Sequence, residues 1–261
     1  MKIAQISDLH ITSNGLTCGV APMAENLAKV VAHINAQRPD IVLVSGDICH
    51  NGLPDEAACA AEILAGLTAP YFITPGNHDS RAALLSAFPK AALPATEMAH
   101  LSYVVEAGGL RFIALDSTDP DAPNGRICPA RAAWLEARLA ESNLPILLFL
   151  HHPPMKCGVE ETDTPPLEGA SRLGAVVEKH PQILRILCGH IHILAQALWH
   201  GQLVCAAPSI GMRLSWSPTR LSPSRFLTSA PAYLWHMHNA DGTMVTHEFT
   251  LDAPNGPFDF C

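Results

Sequence analysis

Aspartate, asparagine and histidine, the residues that bind divalent ions through oxygen and nitrogen, gather in five short patches along the chain. These are Asp8-Leu9-His10, Gly46-Asp47, Gly76-Asn77-His78-Asp79, His151-His152 and Gly189-His190-Ile191-His192. Two divalent ions about 3.5–4 Å apart need a bridging carboxylate, flanking nitrogen and oxygen ligands, and an exchangeable water. Asp47 is the natural bridge, because it follows an apolar strand and a glycine that lets backbone come close. Asp8 with His10, and His190 with His192, repeat an i, i+2 spacing that lets two side chains at a strand end point the same way. Asn77 adds a neutral amide oxygen and His151 a nitrogen. This mixture of carboxylate, amide and imidazole suits Mn, Fe, Co or Zn better than Cu(I) or a thiolate cluster.

His78 stands apart. Its neighbour Asn77 points at the metals, so His78 is expected at the rim, protonating a leaving oxygen, with Asp79 orienting its ring. A hydroxide bridging the two ions is the expected nucleophile. His50, close to the bridging carboxylate, and His152 are candidate substrate contacts, as are Asn77 and His78 themselves. Arg213 is a candidate bidentate partner for phosphate. Against these stand blander readings: His152 as a buried hydrogen-bonded histidine, Arg213 as a solvated loop arginine, and Cys49 and Cys188 as packing thiols.

The elements that must position these patches are strands. Ile41–Val44, Ile146–Leu150 and Leu184–Leu187 are apolar runs that read as buried strands, with shorter ones at Ile3–Ile6 and Tyr71–Ile73. In open α/β sheets ligands collect beyond the carboxyl ends of the strands, which is where all five patches fall. Helical periodicity alternates with these runs over 23–37, 55–67, 130–142 and 169–180, predicting a layered α/β domain. Gly108-Gly109 between 101–106 and 110–115 predicts a β-hairpin. The late strand-like segments 202–206, 232–238 and 243–250 predict a second, more antiparallel sheet packed on the first. Two stretches lack regular pattern, 153–169 and 208–225, and lie next to candidate ligands, so they are expected to wall the substrate site.

A chain of 261 residues is compatible with one domain, and it can bury roughly three quarters of its unfolded surface without disulfide staples. The eight cysteines show no Cys-x-x-Cys pair. A core strand at residues 2–6 leaves no room for a secretory signal, and no apolar run is long enough to span a membrane. The expectation is therefore a cytoplasmic enzyme with reduced thiols. Sixteen basic residues against 24 acidic ones, a net charge of −8, disfavour a broad grip on nucleic acid. A small anionic substrate stays compatible, since bound metals would be the largest local positive charges.

The series Asp-x-His, Gly-Asp, Gly-Asn-His-Asp, His and Gly-His-x-His, spanning residues 8–192 in that order, resembles the calcineurin-like metallophosphoesterases. Ile-Ser-Asp-x-His, Pro-Gly-Asn-His-Asp and His-His-Pro-Pro are similar to bacterial class III phosphodiesterases, which act on cyclic nucleotides or glycerophosphodiesters. The resemblance implies an αββα sandwich over residues 1–261, with 208–261 a variable part that contributes to the substrate pocket and to oligomer contacts. It implies one metal held by Asp8, His10, Asp47 and His192, another by Asp47, Asn77, His151 and His190, and His78 outside the ligand shell. It also implies a homo-oligomer, a dimer or larger. His50 stands where purple acid phosphatases carry a tyrosine, so no iron–tyrosinate is expected. The expected activity is hydrolysis of a small phosphodiester; a phosphomonoesterase or nucleotide pyrophosphatase on the same metals is the alternative, and a non-catalytic interaction scaffold the third.

Overall fold

The computed structural model describes residues 1–94, 96, 99–217 and 224–251. The chain begins β1 (Lys2–Ile6), α1 (Met23–Gln37), β2 (Ile41–Ser45), α2 (Pro54–Leu64), β3 (Tyr71–Thr74), α3 (Arg81–Ala87). It continues β4 (Tyr103–Ala107), β5 (Leu110–Ala114), α4 (Pro129–Ala140), β6 (Ile146–Phe149), α5 (Glu160–Asp163), α6 (Ala170–Val177), β7 (Ile183–Cys188). Six strands follow: β8 (Ala195–Trp199), β9 (Gln202–Ala206), β10 (Met212–Leu214), β11 (Phe226–Thr228), β12 (Ala232–His238) and β13 (Met244–Thr250).

Two large sheets result, one ordered β13-β12-β1-β2-β3 and the other β4-β5-β6-β7-β9-β8. Side-chain alternation along the second sheet shows how the layers stack. Phe112, Leu147, Phe149 and Leu187 pack in one core with the residues of β1, β2 and β3. Their immediate neighbours Ile113, Ile146, Leu148 and Ile186 pack in another core with Leu135 of α4 and Leu173 of α6. The second sheet is therefore covered on both faces, by the first sheet on one side and by helices on the other. With α1 and α2 on the outer face of the first sheet, the chain is a four-layer αββα sandwich.

The amphipathic period of α1 yields a helix over the predicted 23–37. The hairpin forms through Gly108 and Gly109, whose φ of 56° and 78° suit the tight turn that joins β4 to β5. One expectation fails. The late strands do not make a sheet of their own: β9 runs parallel to β7 inside the second sheet, and β12 pairs antiparallel with β1 to extend the first. Apolar pattern identifies such segments as strands, but their partners are set by long-range burial that a local pattern does not carry. Among the described residues, seven cysteines are free thiols, and no helix is long and apolar enough to cross a membrane. Of the variable part 208–261, residues 218–223 and 252–261 lie outside the described residues.

A polar chain crosses the sandwich beneath the strand ends. Arg185 of β7 donates to Thr246 Oγ1, which contacts His236 Nδ1 at 2.8 Å. His236 Nε2 is 3.1 Å from Gln5 Oε1, and Gln5 Nε2 donates to Ser45 Oγ and to the Cys188 carbonyl. Burial, aided by the Arg185 charge, pushes His236 down to about 3. A depressed histidine contributes stability that is complete above its ordinary value near 6.5 and is lost as pH falls toward 3. His236→Gln keeps both hydrogen bonds without the titration. It is expected to flatten the acid limb of the urea-unfolding stability curve between pH 6.5 and 4 by up to about 1.4 kcal/mol per pH unit. An unchanged slope would refute this assignment.

Candidate metal centre

Strands β1, β2 and β3 run parallel, as do β5, β6 and β7, and the two groups end at one edge of the sandwich. Gln5 joins them there, through its bonds to Ser45 at the end of β2 and to Cys188 at the end of β7. The candidate ligands lie just past these ends. Their grouping does not come from strand alternation, because β1 stops at Ile6 and β7 at Cys188. Asp8, His10, Asp47, His190 and His192 instead adopt left-handed backbone, with φ of 54°, 44°, 51°, 72° and 59°. Aspartate and histidine enter this region more readily than most residues, yet each instance costs on the order of 1–3 kcal/mol unless the surroundings enforce it. Five such residues at one point mark a place where the fold holds side chains against local preference.

Close backbone approach explains two of the motif glycines. A Cβ on Gly76 would stand 2.2 Å from Asp47 Oδ1, and one on Gly189 would stand 1.9 Å from Ser7 Oγ and 2.8 Å from Asp8 Oδ2.

Asp8, His10, Asp47 and His192 present ligand atoms that all lie within 4.8 Å of one another. His10 Nε2 and His192 Nε2 are 3.0 Å apart, close to the ~3 Å expected of two nitrogens at right angles on one ion with bonds of about 2.1 Å. Asp8 is fully buried, and its carboxylate accepts the His190 amide. Asp47 Oδ1 accepts the His78 amide at 2.9 Å. Its Oδ2 faces His10 Nε2 at 3.5 Å on one side and His151 Nε2 at 3.3 Å on the other. His151 Nε2 also lies 3.1 Å from Asn77 Oδ1, and the His190 ring centroid is 5.1 Å from that of His151. All seven ligand candidates meet at this edge, with Asp47 between the two groups.

His78 sits beside them: its ring centroid is 4.7 Å from that of His10. Asp79 does not orient that ring. His78 Nδ1 donates instead to the His50 carbonyl at 2.6 Å. The Asp79 carboxylate accepts the amides of Ile48, Cys49 and Gly76, pinning the segment after Asp47 to the loop that carries Asn77. Burial, with Asp47 nearby, pushes Asp79 up to about 6, against the pull of those three amides. His50 lies at the rim against His10 and His78. His152 is buried beside His151 and His190, with a ring nitrogen within 4.8 Å of theirs, but Nδ1 is 2.8 Å from Ser117 Oγ and Nε2 2.9 Å from the Pro123 carbonyl, so both nitrogens already have hydrogen-bond partners.

Arg213 points elsewhere. On β10, Met212 and Leu214 face a cavity of about 280 Å³ beside His190 and His192, whereas Arg213 faces the other side, near Glu248. Among the described residues, the arginine lining the ligand-side cavity is Arg225, at the end of the stretch 208–225 expected to wall the site. Alternation along β10 turns Arg213 away from the face that Met212 and Leu214 present to the ligands.

The profile of the calcineurin-like phosphoesterase family matches residues 1–194, the stretch that carries all five patches. The chain belongs to that family. Over 265 residues it is 32% identical to a probable glycerophosphodiester phosphodiesterase, GpdQ, of Arcobacter nitrofigilis, covering 100% of this chain and 97% of the relative. Over 259 residues it is 28% identical to the 3′,5′-cyclic AMP phosphodiesterase CpdA of Escherichia coli K12, covering 96% and 90%. A solved dimetal phosphatase from Danio rerio shares the fold, with a TM-score of 0.69, 18% identity, and coverage of 90% of this chain and 92% of that one.

The donor set of this phosphoesterase fits the metal ions its family uses. His151 Nδ1 donates to the Ser45 carbonyl at 2.8 Å and His192 Nδ1 to the Met212 carbonyl at 2.5 Å. Each bond fixes the tautomer and turns an Nε2 lone pair inward. Around His151 Nε2, lone pairs of imidazole, Asp47 Oδ2 and Asn77 Oδ1 then face one another, an arrangement that repels unless a cation lies among them. Protonation behaviour says the same. Burial disfavours charge on His151, yet Asp47 beside it raises the ring to about 9. Burial likewise works against ionised Asp47, yet the adjoining histidines, His151 foremost, hold it well below the usual carboxylate range. Burial, reinforced by His151, leaves His190 at about 3, a neutral nitrogen donor at any physiological pH.

Proposed function

We propose that this phosphoesterase hydrolyses a small phosphodiester, a cyclic nucleotide or a glycerophosphodiester, with two divalent ions. The observation that carries this reading is Asp47 Oδ2, which faces one nitrogen donor from each half of the site. Asp8, His10, Asp47 and His192 would hold one ion, and Asp47, Asn77, His151 and His190 the other. The absence of thiolate among these donors favours Mn, Fe, Co or Zn. Bound there, such ions supply an ionised water at neutral pH and offset the charge of the phosphoryl group.

The remaining steps belong to side chains of the chain itself. His78, its Nδ1 committed to the His50 carbonyl, turns Nε2 outward as the proton donor to the leaving oxygen. Asn77 serves as both ligand and phosphoryl contact. Arg225 and the half-apolar cavity walled by Ile191, Met212, Leu214 and Phe226 receive the alcohol portion of the substrate. The names of the relatives support a diester. The free thiols support a cytoplasmic setting, and the exposed Leu198 on edge strand β8 is compatible with a homo-oligomer.

The test is a rate comparison on purified, Mn2+-loaded protein, using bis(p-nitrophenyl) phosphate, p-nitrophenyl phosphate, cyclic AMP and a glycerophosphodiester. Faster turnover of the diesters is expected. A metal-loaded protein that cleaves only the monoester, or nothing, overturns the reading.

A further inference from the structure

His50 is outside both ligand groups, yet its imidazole meets two of the residues the proposed reaction uses. Its backbone is pinned, because the His50 amide donates to the Ile11 carbonyl at 3.0 Å. Its Nδ1 is 3.5 Å from His10 Nδ1. Its ring stacks on that of His78, with centroids 5.6 Å apart and planes at 18°. Its Nε2 is 3.8 Å from Cys18 Sγ. Ring nitrogens of His10, His50 and His78 all lie within 4.8 Å of one another.

Only one set of tautomers suits these contacts. His10 turns Nε2 toward Asp47 and His192, so as a ligand it must carry its proton on Nδ1. That proton points at His50 Nδ1, which must then be the bare nitrogen, leaving the His50 proton on Nε2, facing the Cys18 sulfur. Every donor meets an acceptor along the line His10, His50, Cys18. Outer partners of this kind orient a ligating histidine and raise its basicity. The stacked face of the same ring limits rotation of His78 on the other side, while the carbonyl that accepts from His78 would survive any change of side chain.

We infer that His50 is a positioning residue: its imidazole fixes the His10 ring as a ligand and the His78 ring as a proton donor. This rests on the proposed dinuclear reading of the site. It differs from a structural role, because the ring is only partly buried at the rim of the site, and its loss should leave the fold standing.

His50→Leu and His50→Asn separate the possibilities, with kcat and KM measured on bis(p-nitrophenyl) phosphate and Mn2+ affinity measured by titration calorimetry. His50→Leu is expected to lower kcat about 10–100-fold and to weaken one of two Mn2+ sites by a similar factor, with KM nearly unchanged. In His50→Asn the amide oxygen takes the place of Nδ1, so Mn2+ affinity should return while kcat recovers only in part, because the stack on His78 is missing. A His50→Leu enzyme with wild-type kcat and Mn2+ affinity overturns the inference, as does an equal loss in both variants accompanied by a lowered unfolding temperature. Wild-type protein that binds no Mn2+ overturns the dinuclear reading, and this inference with it. Wild-type protein that binds two Mn2+ while His50→Leu behaves normally overturns only the role of His50.

Discussion

Asp47→Asn is expected to lower phosphodiesterase activity by on the order of 10³-fold or more and to abolish binding of the second metal ion, with the fold intact. Charge neutralisation by a bound divalent ion is worth several kcal/mol in such reactions, and each ~1.4 kcal/mol is tenfold in rate. Among the described residues, Asp47 Oδ2 faces a nitrogen donor of each group, so under the proposed reading its charge would be shared by both ions. Asparagine has nearly the same shape and tolerates the left-handed φ of 51°. Its carbonyl can still accept the His78 amide, which now bonds to Oδ1. What is lost is the second oxygen, replaced by an NH2 group whose protons point where a cation should lie. Alanine would remove the amide contact as well and confound the reading. Activity assays with Mn2+ titration on Asp47→Asn, checked by circular dichroism, give the answer. A variant that binds two Mn2+ and retains more than a tenth of wild-type rate refutes Asp47 as the bridge.

The candidate ligands were legible because each is a chemically distinctive residue placed just after an apolar run, and apolar runs survive as strands in any layered α/β fold. Proximity in space then followed from parallel strand direction, a property of the connections more than of the residues. What was not legible depended on backbone conformation and on partners distant in sequence. Strand alternation does not align Asp8 with His10, because β1 ends two residues before Asp8 and left-handed backbone orients both side chains. Asp79 looked like a partner for its neighbour His78. Its carboxylate instead satisfies three amides, two of them from a segment some thirty residues away. Arg213 and Arg225 are alike in type and in local context. Yet Arg225 lines the cavity beside His190 and His192, and Arg213 lies in a separate pocket with Glu248. In each case the residue type set the chemistry available, and long-range hydrogen bonding chose the target.

The second large effect expected is a pH-dependent grip on metal, with the stability gap between metal-free and metal-loaded protein widening as pH rises. In the metal-free pocket His151 keeps its proton up to about 9, because Asp47 outweighs the cost of burial. A raised histidine contributes stability that is complete below its ordinary value near 6.5 and is lost as pH rises through about 9. The metal-free protein should therefore lose stability across that window. A metal ion needs the same nitrogen without its proton, so binding must expel that proton. Raising the pH from 6 to 8 should accordingly tighten Mn2+ binding roughly a hundredfold, tenfold for each pH unit of one displaced proton. His190, already neutral above about 3, adds nothing to this dependence. At an ion concentration 100 times Kd, binding stabilises the fold by about 2.7 kcal/mol, and at ~2–4 °C per kcal/mol the unfolding temperature should rise by roughly 5–10 °C over the chelated protein. Thermal unfolding with EDTA and with Mn2+ at pH 6, 7 and 8 tests both parts. Curves that coincide at all three pH values would show that the cation held between Asp47 and His151 is only ever a proton, and a gap that narrows as pH rises would refute displacement of the His151 proton by metal.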